Sequence, residues 1–573
     1  MRSAARMRVT LQVAFSLGAL PSVRGLPRLG VDDGSTVGSQ LYDEVKSGLV
    51  GVGERLGLLD ETGGVLVGGV VGQDRGSAFP PDDVEERFMD QRLDHFDRQE
   101  SRTFRQRYFV TKKYWAGPDS GAPVFVCVGG EGPALSSDVL AESVHCNDMI
   151  ELAPRHEALL LAIEHRYYGQ SNPGDDWATE SLQWLSSQQA LADLSSFHGY
   201  ISEKEGLTGG EKWVTWGGSY PGMLAGWARL KYPHLFHAAV SSSSPLQAQL
   251  DFPEYAEVMR QSLAAEEDGV GGSEACASAV ETGHAVIGDL LATEEGRREL
   301  VIVFNLCDAS SLEDENARIS FAGDGVVLLP IQENDPACSG AVCNINAVCE
   351  IMTDDERGSE VDRLATIRNI QRNSSGQDDD QPCEVFPPID DSSVKGLRWP
   401  LVLTREMRSR GAARGSCAAD PSDPNRAWLY QTCTEFGFYQ ASLLFSLSRT
   451  CEVGTRCPFT QGLHTLELDL QLCQEAFGIT PDQVGEQVRL TNLFYGGDQP
   501  RGSRVIFPNG AIDPWHALGV LETPAPGLPA IYVEGASHHF WTHPSKPTDS
   551  GNIVRAREII WHQITSWLEE EDD

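Results

Sequence analysis

Basic residues are scarce in this chain: 45 lysines and arginines stand against 83 aspartates and glutamates, for a formal net charge of −38. A surface of that sign repels phosphate backbones, so nucleic acid is excluded as an expected partner. Long apolar runs are also missing. The stretch Val9 to Leu20 is too short to span a bilayer comfortably, and no later stretch reaches spanning length without charges or breaks. A stable membrane anchor is therefore not expected. No Cys-x-x-Cys pair occurs, and no His-x-x-x-His accompanies the cysteine cluster, which argues against a zinc centre. Neither a metal nor a cofactor is implied.

What is present bounds the answer further. At 573 residues the chain is too long for one compact domain, and 40% hydrophobic residues suffice for a large core. Arg2, Arg6 and Arg8 followed by Val9 to Leu20, with small residues near Val23 and Gly25, predict a cleaved secretory signal over 1–25. A retained anchor is the alternative. Residues 26–85 are rich in Gly, Val and Asp without sustained period and read as a pro-segment or loose extension. Thirteen cysteines, twelve of them from Cys146 onward, fit a disulfide framework in an oxidising compartment, secreted or lysosomal/vacuolar. The odd count leaves at least one thiol over, and Cys127, inside an apolar run, is the expected buried free thiol.

Six short apolar runs read as strands: Pro123–Val128, Ala158–Ile163, Trp213–Trp216, Ala238–Ser241, Arg504–Phe507 and Ala530–Val533. They are nearly continuous rather than alternating, the mark of a sheet buried on both faces. Helical stripes lie between them: Met223, Gly226, Trp227 and Leu230, then Ile553, Ala556, Ile560, Ile564 and Trp567. Alternating strands and helices predict a mostly parallel α/β sheet. Residues 246–425 differ. They are acidic, cysteine-bearing, helical at first and loop-rich over 307–385, with the acidic run Asp378 to Asp380. The organisation expected is an α/β fold in two halves, 86–245 and 426–570, with 246–425 as a mainly helical cap over the strand ends, where open sheets of this kind place their sites.

The sharpest local signal is Gly217-Gly218-Ser219-Tyr220-Pro221-Gly222, between a strand and a helix. It is close to G-x-S-x-G with the last glycine one position later. A serine on so tight a turn needs small neighbours, and the helix that follows aims its first amides at a developing oxyanion. A Gly-rich turn without chemistry is the plain alternative. With Ser219 as nucleophile, the order Ser, Asp, His expected of such a sheet points downstream. Asp513, in the turn after 504–507, and a histidine in the Ser537-His538-His539 turn after 530–533 are in the right places. Spacing alone does not choose between His538 and His539, and His516 lies very near Asp513. Tyr220 N–H supplies one oxyanion donor, and the loop Gly129-Gly130-Glu131-Gly132 the other, with Gly130 preferred.

Eight motifs in order carry a resemblance: QRLDHF (91–96), GGEGP (129–133), EHRYYGQSNP (164–173), LSSQQALADL (185–194), GGSYPGM (217–223), QTCTEFGFYQ (431–440), NGAIDPWH (509–516) and GASHH (535–539). Together they resemble the lysosomal Pro-Xaa carboxypeptidase family of serine peptidases, over about residues 87–568. The resemblance implies an α/β-hydrolase fold interrupted by a helical cap. It also implies Ser219, Asp513 and His538 as the catalytic triad, a Cys433–Cys473 bridge, and cleavage after proline or alanine from one peptide end. Peptides are the expected substrates, and a homodimer is the candidate assembly. An esterase or lipase on the same fold and a catalytically inactive peptide-binding relative are the alternatives. The lack of an apolar lid in the acidic insert weighs against a lipase. Asn373-Ser374-Ser375 is the one N-glycosylation acceptor sequence.

Overall fold

The computed structural model describes residues 83–374 apart from positions 175, 268, 309 and 324, then 383–384, 425–440, 457–460 and 463–570. The expected signal and most of the extension lie outside the described residues, as do Asp378 to Asp380. The described residues form one compact unit.

An eight-stranded sheet organises that unit. Its strands in chain order are β1 (Glu85–Arg92), β2 (Thr103–Thr111), β3 (Val124–Val128), β4 (Leu159–Ile163), β5 (Trp213–Gly218) and β6 (Ala238–Ser242). A minor pair, β7 (Gln249–Asp251) and β8 (Gly437–Tyr439), follows, and β9 (Val505–Gly510) and β10 (Ala530–Val533) complete the set. The large sheet runs β1-β2-β4-β3-β5-β6-β9-β10. The β1–β2 and β2–β4 pairs are antiparallel and the rest are parallel. This is an α/β-hydrolase sheet, and the six expected strands are its parallel part.

The two antiparallel strands escaped sequence reading for a physical reason. β1 sits at the sheet edge, and alternates buried and exposed positions only from Met89 to Arg92. Its sequence EERFMDQR lacks the apolar run that a doubly covered strand needs. In the central strands successive side chains feed opposite cores. Val124, Val126 and Val128 pack on one face with Leu191 and Trp227, while Phe125 and Cys127 pack on the other with Met149 and Ile560.

Helices cover both faces. In chain order, α1 spans Asn147–His156, α2 Ser187–Glu205 and α3 Tyr220–Lys231. After β6 the chain leaves the large sheet and builds α4 (Glu254–Ala264), α5 (Glu274–Leu291), α6 (Glu294–Val303), α7 (Glu315–Ala322), α8 (Ile345–Met352) and α9 (Glu360–Ser374). Then come α10 (Asn425–Gln431), α11 (Leu466–Phe477) and α12 (Pro481–Tyr495), before the return to the sheet at β9. The expectation of a loop-rich 307–385 is corrected over its described part: α7, α8 and α9 lie there. Their caps are legible in hindsight, because Asp314 and Asn344 each accept a backbone N–H from the first turn of the helix that follows. The last helix, α13 (Gly551–Glu569), is capped by Ser550 and buries the expected stripe Ile553, Ala556, Ile560, Ile564 and Trp567.

Parallel pairing of β7 with β8 ties the start of this excursion to residues 437–439. Five disulfides are described: Cys127–Cys146, Cys276–Cys349, Cys307–Cys383, Cys338–Cys343 and Cys433–Cys473. Cys127 is therefore not a free thiol. It bridges from β3 to Cys146, the residue before α1. Both half-cystines lie in apolar surroundings, so their sequence context looks like that of an inert buried thiol. The pairing depends on β3 and α1 meeting in space, which spacing does not give.

Candidate active site

The site begins with a strained turn. Ser219 joins β5 to α3 with φ 63° and ψ −135°, a conformation that a side-chain-bearing residue adopts at a cost of about 1–3 kcal/mol. Packing holds it there. Its N–H donates to Ser242 O at 2.9 Å, and its C=O accepts from Met223 N at 3.0 Å. The flanking glycines are required by close approach. A Cβ at Gly217 would lie 2.4 Å from Pro221 O, and one at Gly222 would lie 2.3 Å from Ser244 Oγ. The displaced last glycine of the motif thus meets the β6 exit rather than the serine. Pro221 is tolerated because it sits in the first turn of α3, where its missing N–H would have had no helical partner.

Asp513 and His538 meet. Asp513 follows β9, is fully buried, and accepts from Trp515 N at 3.0 Å. Its other oxygen, Oδ2, lies 2.8 Å from His538 Nδ1. His538 is buried too, and its Nε2 has no hydrogen-bond partner. The imidazole is thus held through one nitrogen with the other left to accept. Burial opposes charge on His538, but the adjacent Asp513 carboxylate outweighs it and raises the imidazole above its ordinary value, with Glu333 and Glu131 adding to the effect.

The neighbouring histidines stand differently. His539 N–H donates to Ser243 Oγ at 2.9 Å, and its ring packs on Gly218, where a Cβ would come within 2.7 Å of it. Burial, then the charges of His538, His145 and His543, hold it well below the ordinary imidazole value. It is a packing group against the serine turn, with no carboxylate on its ring nitrogens. His516 turns away: its Nδ1 lies 3.1 Å from Gly510 O, and its ring packs edge-on against Tyr532. Spacing leaves three histidines open, and of their rings only that of His538 is bonded to the Asp513 carboxylate.

On the opposite side lies the loop after β3. Gly130 stacks on Pro221, with an ideal Cβ only 2.4 Å from Pro221 Cγ, so the loop is pressed onto the first turn of α3. Tyr220 is buried, and its hydroxyl is 3.0 Å from His165 Nε2 and accepts from Gln431 Nε2 at 2.8 Å. Tyr168 OH donates to Gln431 Oε1 at 2.7 Å. The motifs EHRYYG and QTCTEFGFYQ, distant in sequence, thus converge beneath the residue that follows Ser219.

Several residues at the site had no role in the sequence reading. Gln332 O accepts from His538 N at 3.0 Å, while Gln332 Oε1 accepts from Trp515 Nε1 and Tyr255 OH. The excursion therefore clamps the histidine loop directly. Ser537 Oγ adds a bond to Asn334 O at 2.9 Å. Residues 331–334 offer no motif, so only their place in space reveals them. Glu131 was visible inside GGEGP but was read only as part of a donor loop.

With this geometry in place, the chain can be set beside known proteins. The model of serine carboxypeptidase S28 matches residues 91–560. The chain belongs to the serine carboxypeptidase S28 family. It is 35% identical over 488 residues to thymus-specific serine protease of Mus musculus, covering 84% of this chain and 87% of that relative. The Homo sapiens protein of the same name is 33% identical over 486 residues, covering 84% and 86%. Lysosomal Pro-X carboxypeptidase of Mus musculus is 25% identical over 493 residues, covering 84% and 88%. As an S28 protein this chain is a serine peptidase, a hydrolase acting on peptides. Among the described residues, no helix is long and apolar enough to cross a membrane, and no group of three or more His, Cys, Asp or Glu could hold a metal ion.

Proposed function

We propose that this S28 peptidase cleaves peptides after proline or alanine through Ser219, His538 and Asp513 and an acyl-enzyme. The observation that carries this reading is the Asp513–His538 hydrogen bond with His538 Nε2 unpartnered, the His538 ring lying 4.5 Å from that of His539, which packs on Gly218 beside the strained Ser219 turn. His538 Nε2 takes the proton of Ser219 Oγ as that oxygen bonds to the substrate carbonyl carbon. Asp513 keeps the other imidazole proton on Nδ1 and stabilises the imidazolium. The carbonyl oxygen, now an oxyanion, accepts from the Tyr220 and Gly130 N–H groups. The C–N bond then breaks as Nε2 returns the proton to the leaving amine. Water repeats the sequence in reverse roles and frees Ser219. No metal or cofactor enters these steps.

The preference for proline is supported by the similarity to lysosomal Pro-X carboxypeptidase. A library of Xaa-Pro, Xaa-Ala and other Xaa-Yaa reporters tests it. Turnover should be concentrated on proline and alanine, and equal turnover across all residues removes that part of the reading.

The same reading places the protein on the secretory route to a lysosomal or extracellular compartment, with residues 1–25 as its signal. The disulfides support an oxidising environment. Asn373 is exposed at the end of α9, where a glycan would meet solvent. Endoglycosidase treatment should shift the mass of secreted protein but not of an Asn373→Gln variant.

A further inference from the structure

Asp513 and His538 sit on turns that leave adjacent strands, and the spacing of those turns decides whether the carboxylate reaches the imidazole. β9 and β10 pair in register up to Gly510 and Val533. Past the strand ends, Ala511 N–H donates to Val533 O and Ile512 N–H to Ala536 O. Asp513 and His538 lie beyond these rungs. The histidine turn is also strained, since His539 is held at φ 39°, a region that side-chain-bearing residues avoid. A turn of this kind keeps its shape only when its surroundings hold it.

One residue of the excursion between β6 and β9 holds both turns. Gln332 O accepts from His538 N–H at 3.0 Å, and Gln332 Oε1 accepts from Trp515 Nε1–H at 2.8 Å and from Tyr255 OH at 3.1 Å. An indole N–H can only donate, so the amide must present its oxygen to Trp515. Trp515 N–H is in turn the donor to Asp513 Oδ1, at 3.0 Å. Gln332 thus grips the His538 turn by its carbonyl and the Asp513 turn by its side chain. The bond from Tyr255, on α4, fixes the same amide from a third direction. α4 meets the aspartate turn directly as well, Ser262 Oγ donating to Ile512 O at 3.2 Å. Trp515 and Tyr255 are buried, with ring centroids 5.6 Å apart, so the indole N–H does not readily find another acceptor once Oε1 is gone.

We propose that Gln332 is a positioning residue of the triad, which sets the separation and orientation of Asp513 and His538. It acts through the Trp515 indole and the His538 main chain, and by this route the excursion bears on the catalytic base. This rests on the Ser219, His538 and Asp513 mechanism proposed above and adds what holds its two partners in register.

The test uses full-length mature protein. Gln332→Met keeps the chain length and the carbonyl and removes the acceptor, whereas Gln332→Glu retains an acceptor. Gln332→Met should lower kcat on a proline reporter, and the rate of Ser219 labelling by a fluorophosphonate, by about 10- to 100-fold, the scale of a misplacement of about 1 Å. Gln332→Glu should restore most of both. Trp515→Phe removes the other end of the same bond, so the double variant should be slowed by much less than the product of the two single effects. A merely structural role would lower thermal stability and let the two effects multiply. A signature independent of turnover is the proton resonance of His538 Nδ1–H, which the charge-assisted bond to Asp513 shifts downfield. In Ser219→Ala protein it should move or broaden on Gln332→Met and return with Gln332→Glu. That response supports the positioning role even if wild-type protein cleaves no peptide, a result that would sink the peptidase mechanism alone. An unchanged resonance in Gln332→Met overturns the proposal, as do effects that multiply. If Gln332→Met does not fold, Trp515→Phe reads the same bond from its other end, and an unchanged resonance there overturns the proposal equally.

Discussion

Gly130→Ala isolates the oxyanion loop from the rest of the site. The new methyl would lie 2.4 Å from Pro221 Cγ and 2.6 Å from Pro221 Cδ, where carbon atoms pack at about 3.5–4.0 Å. Pro221 cannot rotate aside, because its ring is closed on the backbone of the first turn of α3. The loop must therefore retreat by about 1 Å, and a donor that has to sit about 2.7–3.1 Å from the oxyanion no longer reaches it. Loss of one such donor costs about 2.7–4 kcal/mol of transition-state stabilisation, or about 100- to 1000-fold in kcat. Overpacking at this point should cost about 1–3 kcal/mol of stability, too little to unfold the domain. The assay pairs steady-state kinetics on a proline reporter with thermal unfolding of the same preparation. The double variant Gly130→Ala, Pro221→Ala removes both clashing ring carbons and should recover part of the rate. A folded Gly130→Ala enzyme within about threefold of wild-type kcat would refute the assignment of this loop as a donor.

Other consequences follow from the same geometry. Asp513→Asn leaves His538 without an anion to hold its tautomer, and kcat should drop about 10⁴-fold with the fold retained, measured by kinetics beside circular dichroism. General-base action requires neutral His538, whose value is raised chiefly by Asp513 against burial. The kcat/KM of the wild type should therefore be lost as pH falls through a midpoint above 6.5, and an acid limb centred below that value would contradict the Asp513 pairing. Replacing Cys127 and Cys146 together by serine opens a loop of 19 residues between β3 and α1 and should lower unfolding stability by about 2–4 kcal/mol in denaturant titration.

How far these features could be read from sequence depended on the distance over which each is determined. The five inner parallel strands were legible because burial on both faces forces continuous apolar runs, as in VFVCV and LLLAI. β1 was not, since an edge strand carries its information in pairing with β2 rather than in composition. Ser219 stood out because its turn is built from adjacent residues whose size is dictated locally. Asp513 and His538 could be nominated only as residues after strands; their bond is made by β9 and β10 lying side by side in register. Gln332 left no trace, because it acts on His538 through a backbone carbonyl. Cys127 was misread for the same reason, since its partner is chosen by packing of α1 on the sheet.

The measurement that bears most directly on the account is active-site labelling. Mature enzyme is treated with a fluorophosphonate, and the adduct is located by mass spectrometry of its peptides. The account predicts a single adduct on Ser219, abolished in Ser219→Ala and strongly slowed in His538→Ala, in parallel with loss of peptide turnover. An adduct on another serine, or unchanged peptide hydrolysis by Ser219→Ala protein, would contradict it.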